Sequence, residues 1–286
     1  MPVSPILSTR MVVAYANHVV SSNVSAIGLV GVGTDPASST SNLLYEDASL
    51  QWVSTTPSSS GLGPEVIFTF NPELSVGEVF GIFNWTGYQE WDSVLVQAGA
   101  SASGPWSAEI VTIDLSPALP VPGDDSKSFL VRHAGASGSF FRFTFLRVAT
   151  PRPKLRIGNI CMFKAVELSQ NPDTGGIRQS RVRAPRGHRA LGGALHVARS
   201  VNVADTSAQF AWSRMDDTLL NQINDVDVVH GDNWIGIIPP NQVGRELPLG
   251  LPHFLGRSLN LDATALHGAS PTTHASRVVW TLEGAL

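Results

Sequence analysis

Eight histidines are the first residues in this 286-residue chain that could do chemistry: His18, His133, His188, His196, His230, His253, His267 and His274. No two stand at a zinc-ligand spacing with a companion cysteine or carboxylate cluster, so they read as scattered loop and surface side chains. Carboxylates come together in Asp124-Asp125, Asp216-Asp217 and Asp225-Val-Asp227. None lies in a stretch that supplies a nucleophile, an acid/base pair or a place for a substrate. There is no Gly-x-Ser-x-Gly elbow and no phosphate loop. The glycines of Ile27–Gly33 are spaced wrongly for a dinucleotide site, and Asp35-Pro36 follows where a helix would have to begin. Cys161, the single cysteine, sits in an apolar run and reads as a small buried hydrophobe. These residues predict a protein that is not an enzyme and holds no metal or cofactor.

Two stretches have the composition of binding surfaces. Asn84–Asp92 brings Trp85, Tyr88 and Trp91 into or near one loop beside amides and carboxylates, the groups a sugar ring would use. The same aromatics could instead cap a core or form a subunit contact. Ile177–Arg189 carries five arginines in thirteen residues: Arg178, Arg181, Arg183, Arg186 and Arg189. It has no interleaved aromatic and the whole chain is acidic, so nucleic acid is disfavoured and contact with an acidic protein surface is preferred.

The charge distribution frames that preference. The net charge is −4, yet Met11–Ser126 contains no Lys or Arg against twelve Asp and Glu. Lys127–Arg189 then has thirteen Lys and Arg against only Glu167 and Asp173. Either the fold interleaves the two segments, or the molecule has opposed faces suited to stacking on copies of itself. In the second case Arg142 and Arg147 join the arginines of 177–189 as assembly contacts.

The elements that must position these groups read as strands. Charged residues are 15% of the chain, with 26 Gly and 19 Pro, a balance that fits an all-β domain with many turns. Phe141, Phe143 and Phe145 alternate with Arg142 and Thr144, the period of a sheet buried on one face. Similar runs occur at 50–54, 65–70, 78–84, 93–97, 108–114, 128–133, 140–148 and 155–163, with turn signals such as Asn71-Pro72 between them. Asn171–Gly176 is a boundary, after which strands surround one short helix that Ser213 is placed to cap, with Asp216 near its positive end. Met1–Arg10 lacks the basic start and apolar run of a signal peptide, and no apolar run approaches the ~20 residues of a membrane helix. That predicts a chain made in a cytoplasm without a membrane segment.

Residues 25–170 resemble the discoidin or galactose-binding-like β-sandwich, a jelly-roll type. The likeness rests on Ser41-Asn-Leu-Leu-Tyr-Glu-Asp47 before Trp52-Val-Ser54, and on the closing strands Phe141-Arg-Phe-Thr-Phe145 and Ile157-Gly-Asn-Ile160. It implies a β-sandwich at 25–170; the residues outside it read as an arm or first strand at 1–24, a Gly/Pro/Arg-rich linker at 171–189 and a small α+β domain at 190–286, a mainly β fold in all. It implies sugar binding at loops at one end of the sandwich, which points again to Trp85, Tyr88 and Trp91. Some members hold calcium, but Asp47 is the one matching carboxylate and no ion is expected. By analogy the arrangement also resembles bacteriophage tail proteins. The expectation is a structural component of a virion: a minor tail, tail-tip or neck/adaptor protein assembling into a ring with itself and other tail proteins. The alternative is a lectin-like, carbohydrate-binding module that contacts a host-surface glycan.

Overall fold

Phe68, Phe80, Phe129, Phe141, Phe143 and Phe145 are all fully buried, and the strands that carry them are unusually long. A computed structural model describes residues 6, 8–44, 50–115, 126–173, 177–182, 186–189, 195–198, 205–230, 233–238, 240, 254–265 and 276–285. The chain is mainly β and divides into two compact units, Met1–Glu167 with Ile237–His253, and Leu168–Gly236 with Phe254–Leu286.

The first unit contains β1 (Val12–Tyr15), β2 (Val24–Val30), β3 (Trp52–Val53), β4 (Glu65–Thr86), β5 (Ser93–Gly99), β6 (Trp106–Asp114), β7 (Ser126–Leu146), β8 (Arg156–Ile157) and β9 (Asn159–Glu167). Short 3-10 turns lie at Thr40–Leu44 and Tyr88–Glu90. β4 and β7 pair antiparallel along most of their length, but the register slips between Thr69 and Leu74, between Leu74 and Gly77 and again before Val79. Each strand is therefore two straight halves joined by a bend, and each half serves a different sheet. The halves Glu65–Thr69 and Phe140–Thr144 lie in the order β2-β4-β7-β5-β6. The halves Val79–Ile82 and Phe129–Arg132 lie in the order β1-β9-β4-β7.

Aromatic contacts show that the two sheets face each other. Phe80 is in register with Val131 and Phe143 with Val66, yet the Phe80 and Phe143 rings meet edge to face at 5.6 Å. Trp85 meets Phe145 in the same way at 5.3 Å. Contacts between residues that are not strand partners cross the core, so the unit is a β-sandwich. The sequence-predicted strands at 65–70 and 78–84 are one strand here, and so are those at 128–133 and 140–148. Asn71-Pro72 lies within β4 rather than ending it. Gly63 leads the chain into β4, where an added Cβ would lie 1.9 Å from the Phe145 carbonyl oxygen, so only glycine fits that approach.

The second unit contains β10 (Ile177–Val182), β11 (Arg186–Arg189), β12 (Leu195–Ala198), β13 (Asp205–Met215), α1 (Asp217–His230), β15 (Phe254–Ala265) and β16 (Ser276–Ala285), and the division between the units falls within β14 (Ile235–Ile238). β10, β13, β16 and β15 pair antiparallel in that order, and β11 pairs with β12. Residues 177–182, expected within a linker, are thus a sheet strand. Ala208, Phe210 and Trp212 are buried at period two, and Leu219, Ile223 and Val226 bury one stripe of α1. The helix is capped by Asp216, whose Oδ1 accepts from the Leu219 N–H at 2.8 Å; Ser213, expected as the cap, lies in β13. No helix among the described residues is long and apolar enough to cross a membrane.

His133 continues the inward stripe of Phe129 and Val131, stacked on Phe80 at 4.1 Å with its Nδ1 accepting the Gly135 N–H. Burial withholds water from its charged form and lowers its pKa to about 4. The unfolded chain binds this proton near the ordinary value of ~6.5. Stability contributed here is full above that value and is lost as pH falls toward 4, by about 3 kcal/mol at most. We expect the urea midpoint of the wild type to fall between pH 6.5 and 4 more steeply than that of His133→Leu. Parallel pH profiles would refute this role.

Candidate ligand-binding cleft

The aromatic trio does not reach solvent. Trp85 and Tyr88 are 0% exposed and Trp91 is 2% exposed. Trp85 contacts Trp91, Phe129 and Phe145, Tyr88 packs edge to face on Phe129, and Trp91 contacts Phe145. The expected sugar platform is instead the apolar plug of one end of the sandwich, because these rings gain more from filling the core than from facing water. Composition alone could not separate the two roles.

The predicted assembly arginines divide. Arg142 pairs with Glu65 at 3.0 Å, bonds Gln97 and lies 4.5 Å over the Trp106 ring. Arg147 bonds the Glu90 carbonyl and reaches its carboxylate at 3.3 Å. Both are engaged within their own unit, contrary to a role as free intersubunit contacts. Arg178 and Arg181 lie in β10 and Arg186 and Arg189 in β11, while Arg183 and Asp47 lie outside the described residues.

A cleft that the sequence did not single out lies where β3 and β8 pair. It encloses about 300 Å³ and is lined by Asp35, Ala37, Ser38, Gln51, Val53, Lys154 and Arg156. Its walls are tied together by backbone. The Asp35 N–H donates to the Val53 carbonyl at 2.9 Å, and Val53 is in register with Arg156. Ser38 Oγ accepts the Val53 N–H at 2.9 Å. Gln51 Nε2 donates to the Asn84 carbonyl and to Thr86 Oγ1, both at 2.8 Å, while the Gln51 carbonyl accepts from Asn42 at 3.0 Å. Its side-chain oxygen is left as an acceptor. Next to the cleft, Arg152 is buried and donates to the carbonyls of Ser58, Ser60, Gly61 and Leu62, clamping the loop before β4.

Three charged groups share the cleft. Lys154 Nζ lies 2.8 Å from Asp35 Oδ2. That hydrogen bond, helped by the Ala37 N–H and opposed by some desolvation, holds the Asp35 carboxyl below the usual carboxylate range; Lys154 and Arg156 add attraction. The Asp35 carboxylate is kept ionised, so it offers the cleft a hydrogen-bond acceptor. Among the described residues no three His, Cys, Asp or Glu side chains converge as metal ligands would.

No protein-family model matches the sequence, and no curated protein is similar to it. Solved structures that align include "CBM32 of AlyQ in complex with 4,5-unsaturated mannuronic acid", at 12% identity, 52% of this chain, 97% of that chain and a TM-score of 0.36. A CBM32-1 from a family 31 glycoside hydrolase of Clostridium perfringens aligns at 10% identity, over 50% of this chain and 98% of that one, with a TM-score of 0.37. The family 32 carbohydrate-binding module of Streptococcus pneumoniae EndoD aligns at 13% identity, over 52% and 99% of the chains, with a TM-score of 0.35. Likenesses of this size assign neither a ligand nor a residue role.

Because Trp91 is packed rather than displayed, Trp91→Ala leaves a cavity in the core. We expect it to lower unfolding free energy by about 3–5 kcal/mol in urea titration. An unchanged midpoint would return Trp91 to the surface.

Proposed function

We propose that this chain is a non-catalytic carbohydrate-binding module, with Asp35, Ser38, Gln51, Lys154 and Arg156 forming the sugar site. The observation that carries the reading is the cleft itself: a small open concavity edged by polar and charged side chains, with Ser38 and Gln51 held in place by hydrogen bonds to the main chain. A sugar hydroxyl both donates and accepts, and here Asp35 and the Gln51 side-chain oxygen accept while Lys154 and Arg156 donate. Fixed polar groups lose little entropy when a ligand arrives. The volume is at the small end of ligand pockets, about 300 Å³ and upward, and suits one ring of a chain rather than a long segment. Ala37, Val53 and the aliphatic stems of the longer side chains give the walls an apolar component against which a ring can rest. With no exposed aromatic among the lining residues, affinity rests on hydrogen bonds and is weak.

The expectation of a self-assembling virion component, put first by the sequence, drew in part on the segregated charge; Arg142, Arg147 and Lys154 pair with Glu65, Glu90 and Asp35 of the same chain, which supports the carbohydrate-binding reading over it.

The test is a glycan array followed by calorimetric titration of any binder with the full chain. We expect Asp35→Asn and Gln51→Ala each to weaken binding by about 2–10-fold, the worth of one or two hydrogen bonds; Asp35→Asn leaves the thermal midpoint unchanged, while Gln51→Ala lowers it because Asn84 and Thr86 lose their donor. No binding at millimolar sugar, or binding that ignores both substitutions, would remove the assignment.

A further inference from the structure

We infer that the cleft selects glycans that carry a carboxylate, and that Arg156 is the residue that pairs with it; this deepens, and rests on, the carbohydrate-binding reading. The charge census of the first unit leads to it. Arg132, Arg142, Arg147 and Lys154 each face a carboxylate, and Arg152 is saturated by four carbonyls. Arg156 is exposed, lines the cleft, and has no acceptor among the described residues. Lys154 is already neutralised by Asp35, so the cleft holds two cations against one carboxylate. Among the described lining residues an incoming anion meets one more cation than carboxylate, and it need not displace a hydrogen-bonded pair to reach Arg156.

Geometry narrows the anion. Arg156 lies on β8, in register with Val53 on one side and Thr86 on the other. Its stem therefore starts from a fixed backbone, and its planar fork offers two parallel N–H donors. A carboxylate has two coplanar oxygens at matching separation, so two N–H···O bonds can form side by side. Neutral sugars use the same Asp35 and Gln51 contacts but offer Arg156 only a hydroxyl, a weaker acceptor than a carboxylate. Because the cleft is open to solvent, the gain is moderate and screened by salt.

Three oligosaccharides of equal length separate the possibilities in titrations of the full chain: a uronate oligomer, its carboxyl-reduced neutral counterpart, and a sulfated neutral oligomer. We expect the uronate to bind roughly tenfold more tightly than the neutral form, the size of one charge-assisted hydrogen bond. That preference should shrink as salt rises and vanish in Arg156→Gln, which weakens the uronate much more than the neutral oligomer, while the thermal midpoint holds. Equal affinities in the wild type, a preference that survives Arg156→Gln, or tighter binding of the sulfated oligomer would each overturn the inference while leaving the sugar site standing. If none of the three binds at millimolar concentration, the carbohydrate-binding reading falls, and this one with it.

Discussion

The pairing of β4 with β7 is the constraint on which the first unit depends. A sandwich needs two sheets, and here the same two strands contribute to both by bending where their register slips between Thr69 and Val79. The bend turns Phe80 toward Phe143 and Trp85 toward Phe145, so the pairs that fill the core are fixed by the same irregularity that separates the sheets. The central strands are buried on both sides, since Val79, Phe83, Cys161 and Phe163 on the opposite face are closed from water as well. Gly81 is part of that packing, because a Cβ there would lie 2.6 Å from the Phe83 ring. A side chain added at either bend or face therefore disturbs two layers at once.

Charge follows the same topology. Acidic residues of the Lys- and Arg-free segment and basic residues of the later one are far apart in sequence. Folding lays β4 beside β7 and β3 beside β8, and three of the four ion pairs among the described residues join one segment to the other: Glu65 to Arg142, Glu90 to Arg147 and Asp35 to Lys154. Arg132 with Glu167 is the exception. Each exposed pair adds little to stability. Their joint effect is to neutralise Arg142, Arg147 and Lys154 within the first unit, while Arg156 stands in no ion pair among the described residues.

The period-two stripe of Phe141, Phe143 and Phe145 was legible because alternation is a direct consequence of the pleat. Asn71-Pro72 was read as a strand end because a turn and an in-strand bend use the same residues; the difference is set by the partner strand, which the local sequence does not contain. Trp85, Tyr88 and Trp91 were singled out correctly as energetic residues but assigned to the wrong environment. A loop that plugs a core and a loop that displays a platform have the same composition. Capping of α1 shows the reverse case: both Ser213 and Asp216 had suitable oxygens, and the strand running through Met215 decided between them.

The cleft was not legible for a topological reason. Asp35 and Lys154 are 119 positions apart and meet only after β8 has paired with β3. No spacing rule spans that distance, and none of Ser38, Gln51 or Arg156 carries a motif. Once the aromatic trio closes the end of the sandwich, the residues beside it have no apolar surface to offer a ligand beyond Ala37, Val53 and the aliphatic stems of the longer side chains. Their remaining asset is direction: donors and acceptors whose backbone is locked by strand pairing. A site built this way discriminates by charge and hydroxyl geometry rather than by ring stacking, because a misplaced hydroxyl strands a polar group while a misplaced methylene costs little. Weak binding and sharp selectivity are then two results of one arrangement, with repeated units on a glycan or repeated copies of the module supplying strength through multivalency.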